Sequence, residues 1–397
     1  MTKKWVNIAD VLFFQEGPGV RNTQYTTSGV KLLNVANLVD GKVDLSKSDR
    51  YISEEEAYGK YRHFLCDDGD FVIASSGIKV EYIDKKMGFV DASMLPLCMN
   101  TSTIRFKVLD ENQLRIRYFM YYLKSKHFKE QLTKQITGSA QLNYGPSHLK
   151  KMIMPLIDIT VQDEIISCMD KLQSIIETRQ RELIELDRLM KARFVELFGD
   201  PRSNPFGFEK KRLKDTCKVI TGNTPSRAIE EYYGDYIEWI KTDNIVSGIL
   251  NPTQATESLS EKGMNVGRTV EKDSILMACI AGSIASIGRV CITDRTVAFN
   301  QQINAVVPEQ YNILFLYVLF QMSKDYLVED INMALKGILS KSKLEEKEFI
   351  IPPMDLQEQF SDFVKQVNKS KFDTMTFAPI YAIINLYLHT YFYQGRR

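Results

Sequence analysis

Histidine is scarce in this chain, with 4 residues, and the 6 cysteines (Cys66, Cys98, Cys168, Cys217, Cys279, Cys291) include no C-x-x-C pair. Neither a zinc ribbon nor a disulfide framework is compatible with that spacing. No G-x-x-x-x-G-K-[ST] phosphate loop and no G-x-S-x-G elbow occurs, which removes the commonest nucleotide-hydrolysing and serine-hydrolase chemistries. The N-terminus, MTKKWVNIAD, has no apolar signal-peptide core, so a cytoplasmic location is expected. One sign of charge does not dominate either: 51 basic residues face 50 acidic ones, for a net charge of +1. Only residues 1 to 157 are basic, with 22 Lys and Arg against 17 Asp and Glu. Any nucleic-acid reading must therefore rest on where cations cluster, because bulk charge carries no phosphate-binding signal.

Residues 1 to 157 alternate short β-branched and aromatic runs with Gly, Asp and Asn turns, as in VKLLNVANLVDG, GDFVIASSG and STIRFKVL. One segment, 115 to 136, has apolar residues at helical spacing without a breaker and predicts a single helix. From 158 to 198 there is no Gly or Pro. Met169, Ile176, Leu183, Met190 and Leu197 fall seven apart, Leu172 and Leu186 follow two of them by three, and Arg179 and Arg193 interrupt the seam. Such a helix would be about 60 Å long and needs a partner helix to cover its seam. GDPRSNPFG then ends it.

After that break the first texture returns, landmarks included. Asn37, Val39 and Gly41 match Asn244, Val246 and Gly248; Asp70 matches Asp273; Asn100 matches Asn300; Ser125 matches Ser323. SHLKKMIMPLIDITVQDEI at 147 to 165 matches SKLEEKEFIIPPMDLQEQF at 342 to 360 through Ser147/Ser342, Leu149/Leu344 and Gln162/Gln357. Five matches in one order, with an offset that falls from 207 to 195, are what a duplication trimmed by small deletions leaves. Each copy reads as an α/β globule followed by a helix. The second helical pattern stops near Phe372, and an aromatic stretch with Pro379 follows, too interrupted for a membrane span.

Catalytic constellations are missing. Asn204-Pro205-Phe206 is a fragment of a methyltransferase turn without its second proline or a Gly-rich methyl-donor loop. Glu209-Lys210-Lys211 has a minimal nuclease spacing and nothing convergent with it. What recurs is small polar groups beside basic ones in turns. GPGVRNTQ offers Arg21 to fork onto guanine and Asn22 or Gln24 to pair with adenine; ITGNTPSR, in the matching place, offers Asn223, Thr224, Ser226 and Arg227. Further candidates are Ser75, Ser76, Lys79, Lys85, Lys86 and Asn100, then Gln141, Asn143 and Tyr144 in the first copy. In the second they are Lys241, Arg289, Asn300, Gln301, Gln302, Lys336 and Lys341. Phosphate contact suits the lysines and base contact the Arg, Asn and Gln side chains. Taken singly, each of these turns reads equally as a glycine turn with solvated side chains.

With these features together, the chain resembles the specificity subunit of Type I restriction-modification systems over about residues 1 to 372. The resemblance rests on the duplicated layout, on GPGVRNTQ near the start, on the loops leading to Leu149, Pro155 and Gln162 and again to Leu344, Pro352-Pro353 and Gln357, and on LFGDPRSNP and GNTPS. It implies an α+β chain with target-recognition domains at 1–157 and 199–354 and a spacer helix at 158–198. A shortened second helix at 355–372 and an atypical tail at 373–397 complete it, the two helices pairing as an antiparallel coiled coil. It also implies no catalysis, cofactor or metal of the chain's own. The implied partners are double-stranded DNA, methyltransferase subunits and restriction subunits, with no membrane. Readers about 60 Å apart suit half-sites more than one duplex turn, about 34 to 36 Å, apart. The departing tail points to a truncated or frame-altered end and puts docking of a second methyltransferase in doubt. The alternatives are a stand-alone nuclease or methyltransferase with a helical linker, and a partial specificity subunit that reads DNA without supporting methylation.

Overall fold

The computed structural model describes residues 4–136, 143–329, 331 and 337–375. Contacts divide the chain into two units, the first running to Glu177 and the second beginning at Thr178. In the first, a four-stranded antiparallel sheet has the order Leu12–Glu16, Thr103–Val108, Phe71–Ala74, Met87–Phe89. In the second, the order is Cys217–Thr221, Ile303–Pro308, Ile275–Ala278, Val290–Ile292. The two sheets share strand order and sense, as a duplication requires. FVIA and ILMA, at the equivalent strand, are buried throughout instead of alternating, because both faces of that strand are covered.

Two further pairings repeat. Lys4–Asn7 zips antiparallel to Ile153–Leu156, and Glu209–Arg212 to Glu348–Ile351, so each unit closes its chain entry against its exit. Val30–Leu33 runs parallel to Leu97–Met99, and Ile237–Ile240 runs parallel to Val297–Phe299. Helix Ile116–Lys124 buries Tyr118, Phe119, Tyr122 and Leu123 in the first core; helix Ile313–Met322 does the same in the second with Phe315, Val318 and Leu319. The single helix anticipated over 115 to 136 is two. Ser125 takes an extended conformation and its hydroxyl accepts from the Phe128 N–H at 3.3 Å, ending Ile116–Lys124 and capping Lys126–Gln135.

The repeated joint has a physical cause. Gln162 is fully buried; its carbonyl accepts from the Arg115 N–H at 2.9 Å, and its amide donates to the Gln113 and Ile157 carbonyls at 2.8 and 2.9 Å. Gln357 accepts from the Asn312 N–H at 3.0 Å and donates to the Pro352 carbonyl at 2.8 Å. Each glutamine stitches the start of an outgoing helix to the start of the helix that covers the sheet, satisfying backbone groups that helix ends leave open.

The outgoing helices are Ile159–Phe198, 40 residues and so about 60 Å, and Met354–Met375. Ile165 and Met169 belong to the first core; Met190, Phe194 and Phe198 belong to the second. The heptad seam is thus partly as the sequence implies. Met169, Ile176 and Met190 are buried, whereas Leu172, Leu183, Leu186 and Leu197 are half-buried, and the deepest contacts near the end come from Phe194 and Phe198. A straight α-helix drifts by about 20° per heptad, which moves the buried stripe off the strict seven-residue positions. Phe360 meets Phe194 and Phe198 with ring centroids 5.5 Å away in both cases, while Lys371 pairs with Asp187. Rising numbers on one helix meet falling numbers on the other, so the pairing inside the second unit is antiparallel. Helix Met354–Met375 runs past the expected stop at 372, and the atypical tail from 376 lies outside the described residues.

Candidate nucleic-acid interface

Each unit holds one polar turn over its sheet by a glycine. The Gly17 N–H donates to the Thr103 carbonyl at 2.9 Å, and the Gly222 N–H to Ile303 at 3.0 Å. A Cβ on Gly17 would lie 2.1 Å from the Asn100 carbonyl oxygen, and one on Gly222 would lie 2.2 Å from that of Asn300. Only glycine permits this approach. Asn100 and Asn300 are themselves buried. The Asn100 amide donates to the Asn34 side chain at 2.9 Å and its carbonyl accepts from the Thr101 and Val20 N–H groups. Asn300 donates to Gln302 at 3.1 Å and accepts from the Gln302 N–H at 3.1 Å. Both asparagines therefore support the turns from beneath.

Beyond Gly17, Arg21 and Asn22 are exposed on a short helical turn, Asn22–Gln24. Gln24 is turned inward: its amide donates to Glu56 at 2.6 Å and to the Tyr61 hydroxyl at 3.1 Å, and its carbonyl accepts from the Arg21 N–H at 3.0 Å. In the second unit Asn223 donates to the Val266 carbonyl at 2.9 Å and accepts from the Arg268 N–H at 2.8 Å. Thr224 donates to Gln301, Ser226 is exposed, and Arg227 is held on three sides. Its guanidinium lies 4.6 Å from the Tyr233 ring, 5.3 Å from Trp239 and 2.6 Å from the Glu257 carboxylate. Lys241 takes the other Glu257 oxygen and sits 5.1 Å from Trp239. These hydrogen bonds from Lys241 first, then Arg227, hold the Glu257 carboxyl below the usual range despite some desolvation.

The remaining candidates divide by exposure. Ser75 is buried and donates to Glu16 at 3.3 Å; Tyr144 is buried and donates to the Ala74 carbonyl at 3.0 Å, its phenol pushed well up by burial. Ser76 bridges to the exposed Asn143. Lys79 and Lys85 are exposed, the latter 5.7 Å from the Tyr82 ring, whereas Lys86 reaches the Val35 carbonyl at 3.5 Å. Arg289 spans the Ser286 and Thr242 carbonyls at 3.3 and 3.1 Å. Gln301 is exposed, Gln302 half-buried, and Lys341 pairs along its helix with Glu345 at 3.5 Å. Gln141 and Lys336 lie outside the described residues. Sequence reasoning missed Arg50, Glu257 and Tyr233, which reach the turns only through strand pairing and carry no local motif.

Among the described residues no group of three or more His, Cys, Asp or Glu is arranged to hold a metal ion. Burial pushes the thiols of Cys66, Cys98, Cys217, Cys279 and Cys291 up to about 12, far from the thiolate a nucleophile requires. Asn204 accepts from the Phe208 N–H at 3.0 Å and donates to the Phe208 carbonyl at 2.7 Å, so it ties the loop that ends the long helix. Among the described residues no helix is long and apolar enough to cross a membrane.

The HindI specificity subunit of a Type I restriction enzyme from Haemophilus influenzae is 33% identical over 146 residues, 35% of this chain and 31% of that relative. The chain thus aligns with about a third of that relative's length. The MjaIX specificity subunit from Methanocaldococcus jannaschii is 24% identical over 302 residues, covering 70% of this chain and 68% of the relative. Among solved structures, the S subunit of a Type I restriction-modification system from M. genitalium superposes with a TM-score of 0.59 at 15% identity, covering 100% of this chain and 97% of that one. A chain from a structure concerned with complex assembly and conformational transition of the Type I system gives 0.53 at 15% identity, covering 97% and 96%. Both share the fold. The family described as Type I restriction modification DNA specificity domain matches residues 18–188 and again 205–379, and the chain belongs to that family.

Proposed function

We propose that this chain is the non-catalytic DNA-recognition subunit of a cytoplasmic Type I restriction-modification assembly. Each unit reads one half of a split double-stranded target, and the helices serve as the platform on which methyltransferase and restriction subunits dock. The observation that carries this reading is the repetition of one glycine-held polar turn over one sheet, once per unit, with a helix leaving each at the same buried glutamine. Two such turns on one chain suit a bipartite sequence; a single-site enzyme has no use for the second. Arg21, Asn22, Thr224, Ser226 and Gln301 are the exposed turn side chains available to bases, and Lys79, Lys85 and Lys341 are available to phosphate.

Selection of bound duplexes from a pool with two randomised half-sites tests the proposal. A bipartite consensus with a fixed spacer is expected. Methyl transfer or cleavage by the purified chain without added subunits would refute it in favour of a stand-alone enzyme.

A further inference from the structure

Strand registers place the two units residue for residue, and charge is reversed at two such positions, Lys31/Glu238 and Arg50/Glu257, of which the second lies against the polar turns. In the first unit Val30 pairs with Ile52 and Lys31 with Tyr51; in the second Ile237 pairs with Leu259 and Glu238 with Ser258. Every one of these residues is displaced by 207 from its counterpart. One step before Tyr51 and Ser258 stand Arg50 and Glu257. The backbone agrees: the Leu32 N–H donates to the Arg50 carbonyl at 2.8 Å, and the Trp239 N–H to the Glu257 carbonyl at 3.1 Å. Arg50 and Glu257 therefore occupy one structural position.

Both side chains lie against the polar turn of their own unit. Arg50 is exposed and stacks 5.3 Å from the ring of Tyr25, the residue that follows the Asn22–Gln24 turn. No carboxylate pairs with it among the described residues. The Tyr25 hydroxyl is in turn 3.4 Å from the Asn100 amide, so the stack is anchored to the turn's buried support. Glu257 instead binds the turn's own cation, Arg227, at 2.6 Å and binds Lys241 as well, leaving neither ammonium nor guanidinium without a counter-charge.

We propose that position 50/257 sets how each unit meets the DNA backbone: Arg50 adds a phosphate contact in the first, and Glu257 withholds Arg227 and Lys241 from phosphate in the second. A carboxylate on a surface that meets DNA repels phosphate, and here it also pairs with the two cations beside the second turn. Arg227 is then free for a base contact only where the sequence offers a better partner than Glu257, so the latch raises selectivity at the expense of affinity. This inference rests on the recognition function proposed above.

The test measures the salt dependence of duplex binding by the full chain and its variants, each phosphate contact contributing about 0.9 to the slope of log affinity against log salt. Arg50→Gln is expected to flatten the slope by about 0.9, which is about 3.5-fold less affinity change over a fourfold salt range. Glu257→Gln is expected to steepen it by up to about 1.8 and to raise affinity for non-cognate duplex. Adding Arg227→Gln and Lys241→Gln to Glu257→Gln should return the slope to that of the unaltered chain, and urea unfolding midpoints of both units verify that each variant is folded. Slopes that stay unchanged, or that move in the same direction for Arg50→Gln and Glu257→Gln, overturn the inference while leaving the recognition function standing. Absence of any duplex binding by the unaltered chain overturns both.

Discussion

Replacing Gln162 by leucine tests the joint on which each unit depends. Leucine approximates the volume of glutamine, so the change deletes hydrogen bonds with little loss of packing. Three bonds disappear, from the Arg115 N–H and to the Gln113 and Ile157 carbonyls, at a fully buried side chain. At about 1 kcal/mol for each net bond the loss is about 3 kcal/mol, more if the orphaned backbone groups stay dry. Gln357→Leu deletes only two, from the Asn312 N–H and to the Pro352 carbonyl, for a loss of about 2 kcal/mol. The chain's 2 tryptophans make the assay unit-specific, because Trp5 belongs to the first unit and Trp239 to the second. Urea unfolding followed in Trp239→Phe and Trp5→Phe backgrounds separates the two transitions. Gln162→Leu should lower the first midpoint and spare the second, and Gln357→Leu should do the reverse. A cost below about 0.5 kcal/mol for either change, within the ordinary scatter of surface substitutions, would refute the stitching role.

Four other outcomes follow from the same geometry. Arg21→Ala and Arg227→Ala should each cost roughly 1 to 3 kcal/mol of discrimination in one half-site only, read by duplex selection. Met190→Ala, at a buried contact in the second core, should cost about 2 to 4 kcal/mol in urea unfolding, while Leu183→Ala, half-buried, should cost under about 1 kcal/mol. Gly222→Ala should disrupt the second turn, because its Cβ would meet the Asn300 carbonyl; a lowered second unfolding midpoint with the first retained, and loss of selection in that half-site only, checks it. Glu238 accepts from Arg295 at 3.0 and 2.8 Å, which holds its carboxyl below the ordinary 4.5. A depressed folded-state pKa means the stabilisation is complete above about 4.5 and is lost as pH falls through the lower folded value, so Glu238→Gln and the unaltered chain should converge in urea midpoint only in acid.

Much of this was legible in the sequence because duplication repeats residues that the fold cannot change. Gln162/Gln357 and Asn100/Asn300 stood out as matches, and both pairs prove to be buried supports. Legibility failed where meaning depended on register. Asp70 and Asp273 look equivalent, yet Phe71 pairs with Phe106 and Ile275 with Val306, which sets Asp70 against Ser274 and makes the aspartate match one residue out of step. It failed again at Arg227, whose partner Glu257 is 30 residues away in sequence and joins it only through strand pairing. The helix seam was read at a period of seven, and the true buried stripe shifts to Phe194 and Phe198 by accumulated drift that no single heptad reveals.

The two copies also serve as an internal control on what reads and what supports. Residues identical in both, Asn37/Asn244, Asn100/Asn300 and Gln162/Gln357, are buried and spend their polar atoms on backbone groups or on neighbouring side chains of their own unit. Charge changes instead at Lys31, Asn34 and Arg50, which correspond to Glu238, Lys241 and Glu257, and of these Arg50 and Glu257 lie against the turn of their own unit. Two units with identical flanks would prefer the same half-site twice. If each unit reads one half of a split target as proposed, reversing charge at Arg50/Glu257 while keeping the scaffold beneath it lets one duplicated fold present different chemistry to each half, and it locates the difference in residues whose substitution leaves the supporting asparagines and glutamines untouched.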